Sequence, residues 1–253
     1  VLMRRVFTLL ALLSLATSSA TAQLSDYSQD FESLDRTVFT ALSDDGWIGF
    51  ASGINGAPGF GDFGFGPFPA PNDIAAPFNS VISESTGGDP PAGNQGLLIL
   101  SDYNSDLHSN PADPRDLVIS IFQEQIISAG DIGKSVNFSF LADGNVNPPS
   151  GDATAEAFLL TLDPNNGFIA TNNLAFDTTN VADGSNIAGS LSLDITDPLL
   201  VGQILQFGFR NTASDFEGSA VDYDNVVFSV IPEPTAAAMV ALAGVAGLVR
   251  RRR

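Results

Sequence analysis

The sequence predicts an all-β fold: a single β-sandwich, jelly-roll-like, with an N-terminal signal peptide and a short C-terminal apolar helix. Three observations predict it. Apolar residues in the middle of the chain recur with a period of two rather than 3.6. The alternating runs are short and are separated by turn formers such as Asp163-Pro164-Asn165-Asn166-Gly167 and Ala142-Asp143-Gly144-Asn145. No middle segment carries a capped amphipathic pattern long enough for a helix. Short strands between polar turns bury their apolar faces by packing sheet on sheet.

Residues 3–22 read as a secretory signal. Met3 is the expected start, Arg4-Arg5 form the charged region, and Val6–Ala16 is an apolar stretch of 11 residues. Ala20-Thr21-Ala22 supplies the small-x-small pattern, with cleavage after Ala22. The competing reading, a membrane anchor, needs about 20 apolar residues. The expected organisation is therefore a signal at 1–22, a sandwich at 23–231 and a tail segment at 232–253.

Within the sandwich region, strands are expected around Leu97–Leu100, Leu117–Phe122, Val136–Leu141, Ala155–Leu162, Leu191–Ile195, Ile204–Arg210 and Tyr223–Val230. In Ala155–Leu162 the alternation places Glu156, Phe158, Leu160 and Leu162 on one side. With 19 Phe against one Trp and three Tyr, phenylalanine is the expected filling between sheets.

One segment breaks this rhythm. Gly46–Asn72 holds five Phe and four Pro among its glycines. Gly59-Phe60-Gly61-Asp62-Phe63-Gly64 matches a dinucleotide fingerprint formally, but no helix can follow through Gly66-Pro67-Phe68-Pro69-Ala70-Pro71. The segment reads as a long surface loop. Its rings either tuck against the sandwich or form a ligand platform, for which Trp47, Phe50, Phe63 and Phe65 are the candidates.

Composition excludes several chemistries. With no Cys, disulfides, thiolate metal sites and Cys nucleophiles are out. One His, His108, cannot supply a two-imidazole site. The formal net charge is −19, and six of the ten basic residues lie at the two ends, leaving 28 acids against four bases in residues 23–231. That balance argues against nucleic acid, whose phosphates require Lys and Arg. There is no Gly-x-Ser-x-Gly elbow, His-Glu-x-x-His motif or Walker loop. A glycosidase needs only two carboxylates, and Glu124 is the first acid to inspect, although an edge carboxylate is the plainer account of it.

At the C-terminus, Pro232-Glu233-Pro234 is followed by an apolar run of 15 residues, 235–249, and then by Arg250, Arg251, Arg252 and Arg253. As a helix the run would cover about 22 Å, short of the roughly 30 Å hydrocarbon core. The Arg cluster would hold that end on the cytoplasmic side. This three-part tail resembles the PEP-CTERM sorting signal. The resemblance implies export by the general secretion machinery and transient residence in the inner membrane. It also implies recognition by exosortase, an integral membrane cysteine protease, and cleavage near Pro-Glu-Pro that releases the body to the cell surface or medium. A plain C-terminal anchor is the alternative.

Three pieces of the body carry a second resemblance. They are Asp30-Phe31-Glu32 near its start, Gly133-Lys134-Ser135-Val136 in its middle and Tyr223-Asp224-Asn225-Val226 near its end. Together they look like the galactose-binding-like jelly roll of many carbohydrate-binding modules. There, the opening Glu and closing Asp often share a structural calcium ion, which by position would be held by Glu32 and Asp224. Ca²⁺ prefers six to eight oxygens, several from carboxylates. The alternative is that both acids are solvated at the rim. A second cation-binding candidate is Asp102-Tyr103-Asn104-Ser105-Asp106, which spaces its oxygens as an EF-hand does. It lacks the EF-hand's Gly at position six, where Leu107 stands, and its closing Glu, where Asp113 stands.

Three function classes follow: a non-enzymatic cell-surface or matrix protein, a carbohydrate-binding module for exopolysaccharide, and a polysaccharide-active enzyme. The first is the expectation.

Overall fold

A computed structural model describes residues 23–55, 61–73, 78–84, 91–101, 115–145 and 149–232. The proposed signal with Ala20 and Ala22, the Asp102/Asn104/Asp106 loop with His108, and the tail from Glu233 through Arg253 lie outside the described residues. Among the described residues no helix is long and apolar enough to cross a membrane.

The described chain is a β-sandwich. Its strands in order are β1 (Tyr27–Gln29), β2 (Ile48–Ile54), β3 (Phe63–Pro69), β4 (Phe78–Glu84), β5 (Gln95–Ser101) and β6 (Asp116–Ile126). They continue with β7 (Lys134–Gly144), β8 (Thr154–Asp163), β9 (Ile169–Asp177), β10 (Ile187–Ile195), β11 (Ile204–Ala213) and β12 (Ser219–Pro232). One short helix, α1 (Ala41–Asp44), precedes β2. One sheet has the order β10-β7-β12-β5-β4, with β1 also on β12. The other has the order β3-β2-β6-β11-β8-β9. Every ladder is antiparallel.

All seven expected strands are present. The expectation of a long surface loop at Gly46–Asn72 is corrected: much of it is the β2–β3 pair at one edge of the second sheet. The reason is specific. The core-facing positions of β2 are Gly49, Ala51 and Gly53, too small to register as apolar periodicity. The missing volume is supplied by the neighbouring strand. A Cβ on Gly49 would come within 2.3 Å of the Phe68 ring, and one on Gly53 within 2.3 Å of the Phe63 ring.

The core lies between the sheets and is aromatic. Phe207 of β11 stacks on Phe228 of β12 at 4.3 Å and 6° between planes. Phe209 stacks on Tyr223 at 3.7 Å. Phe138 and Phe140 of β7 pack edgewise or tilted against these rings. The Tyr223 hydroxyl shares a hydrogen bond with Thr178 Oγ1 at 2.8 Å, so its burial leaves no polar atom unpaired. Asp131 gathers one end of the sandwich. It accepts from the Leu24 and Ser128 amides, from Ser128 Oγ and from Lys134 Nζ at 2.7 Å. Burial works to raise its pKa, but these donors together hold it below the usual carboxylate value.

Phe209 is fully buried and packs across the sandwich on rings of two strands of the facing sheet. Phe209→Ala should cost about 3–5 kcal/mol, read as a fall in the urea midpoint at unchanged slope.

Candidate functional site: a groove on the outer face of the second sheet

The alternation that sends Leu205, Phe207 and Phe209 inward sends Ile204, Gln206, Gly208 and Arg210 outward on the same strand. On β6 the outward set includes Ser120, Phe122 and Glu124; on β8 it includes Glu156, Phe158, Leu160 and Leu162. These faces line a groove of about 540 Å³. It crosses the strands from Phe50, Gly66 and Pro67 near the β2–β3 edge to Phe168 at the β8–β9 turn.

Gly208 shapes the floor. It stands opposite Phe122 on one side and Phe158 on the other. A Cβ there would lie 2.2 Å from the Ile121 carbonyl oxygen and 2.6 Å from Phe122 Cα. The rings of Phe122 and Phe158 lie 6.3 Å apart and, with Leu160, make a small apolar cluster separate from the main core. At the two ends, Phe50 is 38% and Phe168 58% exposed. Phe50 lies over β3, where Cβ atoms on Gly64 and Gly66 would meet its ring.

The polar side chains of the groove are paired among themselves. Arg210 donates from NH1 to Glu156 Oε1 at 2.8 Å and from Nε to Ser120 Oγ at 3.3 Å. Its guanidinium also lies over the Phe158 face, 4.8 Å from the centroid. Gln206 Nε2 donates to Glu124 Oε2 at 3.2 Å. The surface thus combines exposed ring faces with fixed donors and acceptors, the make-up of a small-molecule or glycan site.

A second polar place is the rim where β1 meets the middle of β12. Glu32 accepts from the amides of Asn94 and Gln95, and Asp224 from those of Ala92 and Asn225. Burial raises the Asp224 pKa to about 6 despite the two amides, and the nearby Glu32 and Asp30 charges push the same way. The two amides instead draw Glu32 below the usual value. Among the described residues, no group of three or more Asp, Glu or His is arranged to hold a metal ion.

Of the platform candidates, only Phe50 lines the groove. Trp47 is corrected to a core residue: it is 1% exposed, stacks on Phe209 at 6.4 Å and donates Nε1–H to Asp45 at 3.2 Å. A tryptophan just before a strand with glycine at its core-facing positions is drawn inward to fill that space. Phe63 packs on Leu117 and Ala213 beneath the Arg115 guanidinium. Phe65 is 64% exposed and rests on Phe68, outside the groove lining. Glu32 and Asp224 do share one rim. Glu124, the acid singled out in sequence, stands in the groove. Phe122, Phe158, Phe168, Gln206 and Arg210 were missed. The signal for most of them is the alternation of β6, β8 and β11, which shows that they share a face but not which face is outside.

No protein-family model matches the chain, and no curated protein matches it. Solved structures do. The Stig cyclase Fisc from Fischerella sp. TAU, in complex with (3Z)-3-(1-methyl-2-pyrrolidinylidene)-3H-indole, is 15% identical. That match covers 83% of this chain and 91% of the cyclase, with a TM-score of 0.44. The CBM22-1–CBM22-2 tandem domain of Paenibacillus barcinonensis Xyn10C is 12% identical over 87% of this chain and 49% of its own, with a TM-score of 0.44. TmCBM61, in complex with β-1,4-galactotriose, is 12% identical over 62% and 83%, with a TM-score of 0.34. Identities this low concern fold alone, and one fold hosts many functions.

Proposed function

We propose that this chain is an exported, non-enzymatic surface or matrix protein whose sandwich binds a neutral polysaccharide, such as an exopolysaccharide, in the groove. The observation that carries this reading is the pair of exposed rings, Phe50 and Phe168, at the two ends of a groove whose middle offers fixed polar side chains. Sugar rings present apolar C–H faces to aromatic faces and hydroxyls to groups such as Gln206, Glu124 and Ser120. Charge supports a neutral ligand. Arg210 is already engaged by Glu156 and Ser120, and a body with 28 acids against four bases repels polyanions.

Register supports binding rather than hydrolysis. Glu124 pairs with Gln206, and Glu156 with Arg210, on opposite sides of β11. That separates their backbones by about 14 Å along the strands and about 10 Å across them. A glycosidase pair stands about 5–9.5 Å apart, and each of these acids is held by its own partner.

On a glycan array, neutral polysaccharides should bind and acidic ones should not. In calorimetry on the best ligand, Phe50→Ala and Phe168→Ala should each weaken binding about fivefold, corresponding to about 1 kcal/mol for a ring-face contact, at unchanged melting temperature. An array empty of neutral glycans would sink the reading.

We also propose that Ca²⁺ occupies the rim at Glu32 and Asp224, where it would offset the repulsion among Asp30, Glu32 and Asp224. The pH dependence has a definite sign. Asp224 is raised from 3.8 to about 6 in the folded chain. Its contribution to stability is therefore present below the lower value and is lost as pH rises through the upper one. Calcium should raise the melting temperature at about pH 7, where Asp224 is charged, and much less at about pH 5. It should do nothing in Asp224→Asn. An equal melt in calcium and in chelator at neutral pH would remove the ion.

Sorting follows from the tail. Exosortase processing near Pro232-Glu233-Pro234 predicts that the surface or secreted form, by mass spectrometry, lacks Arg250–Arg253. An intact tail on extracellular material would refute it.

A further inference from the structure

The chain enters and leaves the sandwich at the same end. Leu24 is fixed there by Asp131 and Ser25 by Gln125, near the end of β6. Pro232, the last described residue, pairs with Lys134 at the start of β7. The β10–β11 connection closes the same end: the Gly202 amide donates to the Ile127 carbonyl and the Ile127 amide to the Gln203 carbonyl. The β8–β9 turn lies there as well, since Leu162 and Ile126 both pair with Ile204.

That end exposes several large apolar side chains. Leu199 is 79% exposed, Ile126 62%, Phe168 and Ile169 58% each, Ile231 51% and Val201 42%. These are six of the thirteen large apolar side chains exposed among the described residues. They come from four separate chain segments, so local sequence alone does not bring them together.

We propose that, until the tail is cleaved, this end of the sandwich rests on the lipid bilayer and seats these six side chains in its interfacial layer; the Phe168 end of the groove then faces glycan only in the released form. The inference builds on the reading of residues 235–249 as a membrane-held tail. Tether length decides the geometry. Only Glu233 and Pro234 separate Pro232 from that run. Three residues of fully extended chain reach about 10 Å. A tail embedded from Thr235 onward therefore holds the Pro232 end of the body within about 10 Å of the bilayer. Amphipathic surfaces that settle in the interface bury their apolar side chains about 5–10 Å into the headgroup region. The tether enforces the contact, and the apolar rim makes it favourable. The acids of that end, Asp163, Asp194 and Asp197, would have to stay among the hydrated headgroups, since burying a carboxylate is costly.

The chain has no Cys, so single-cysteine variants of the full chain can carry an environment-sensitive dye at one place each. Leu199→Cys and Ile126→Cys report the rim, Leu242→Cys the tail, and Asp152→Cys the exposed opposite end. In phosphatidylcholine vesicles, dyes at 199, 126 and 242 should shift to the blue and be quenched by brominated lipid, while the dye at 152 should do neither. A shift at 242 with none at 199 and 126 would overturn the docking and leave the tail reading intact. No shift at 242 would overturn both. A blue shift at 199 without vesicles would mean that a second copy or the tail itself covers the rim, and would also overturn the proposal.

Discussion

The structure depends on one contact, the face-to-face stacking of β11 on β12 across the sandwich. Phe207 lies on Phe228 and Phe209 on Tyr223, each pair close to parallel. The two strands are neighbours in sequence and belong to different sheets, so their stack fixes how the sheets face each other. It also fixes the phase of β11. With 205, 207 and 209 inward, residues 204, 206, 208 and 210 must be outward, and a slip of one residue would exchange the sets. Core and groove are therefore not independent features. The rings that hold the sheets together determine that Ile204, Gln206 and Arg210 line the groove.

Glycine then decides where rings can lie. At Gly208 a Cβ would run into the β6 backbone, 2.2 Å from the Ile121 carbonyl oxygen, so glycine there lets β11 and β6 approach beside the Phe122–Phe158 pair. Phe68 and Phe63 fill the inner side of β2 because Gly49 and Gly53 leave room for them. Along β2 a ring from the neighbouring strand occupies the volume that the glycine omits. Rings thus fill the space that glycine leaves, beside a core that also holds many Leu, Ile and Val side chains.

This exchange also explains what was legible in the sequence. Strands whose own side chains alternate, such as Val136–Leu141 and Ala155–Leu162, are visible as strands. Strands β2 and β3 are not, because their alternation is between glycine and a ring borrowed from next door. Strand β9, Ile169–Asp177, hides for another reason. It is an edge strand with one face largely open to water, so Thr171, Asn172 and Asn173 dilute its pattern. The groove was half legible. The grouping of Glu156, Phe158, Leu160 and Leu162 on one side follows from period two, but only the inter-sheet stack says that this side faces out. Trp47 misleads by type. The largest aromatic next to a glycine-rich segment suggests a platform, yet the same glycines create the space that draws it into the core.

A sandwich without disulfides must close its ends by other means, and here buried carboxylates do so. Asp131 ties Leu24 to the β6–β7 connection. Asp143 accepts from the Ser185 amide and Asp222 from the Asn145 side chain, and these two acids face each other across β7 and β12 while fully buried. Asp224 binds the amides of Ala92 and Asn225. Each of these acids takes up donors that a loop or strand end would otherwise leave without a partner, and an unmet buried donor costs about 1–3 kcal/mol. The acidity of the body therefore has two parts. Most carboxylates lie on the surface and give the protein its charge. A few lie inside, where they hold loops and strand ends to the sandwich much as covalent links would. Through Asp131 the second group fixes Leu24 at the end of the sandwich where Pro232 pairs with Lys134.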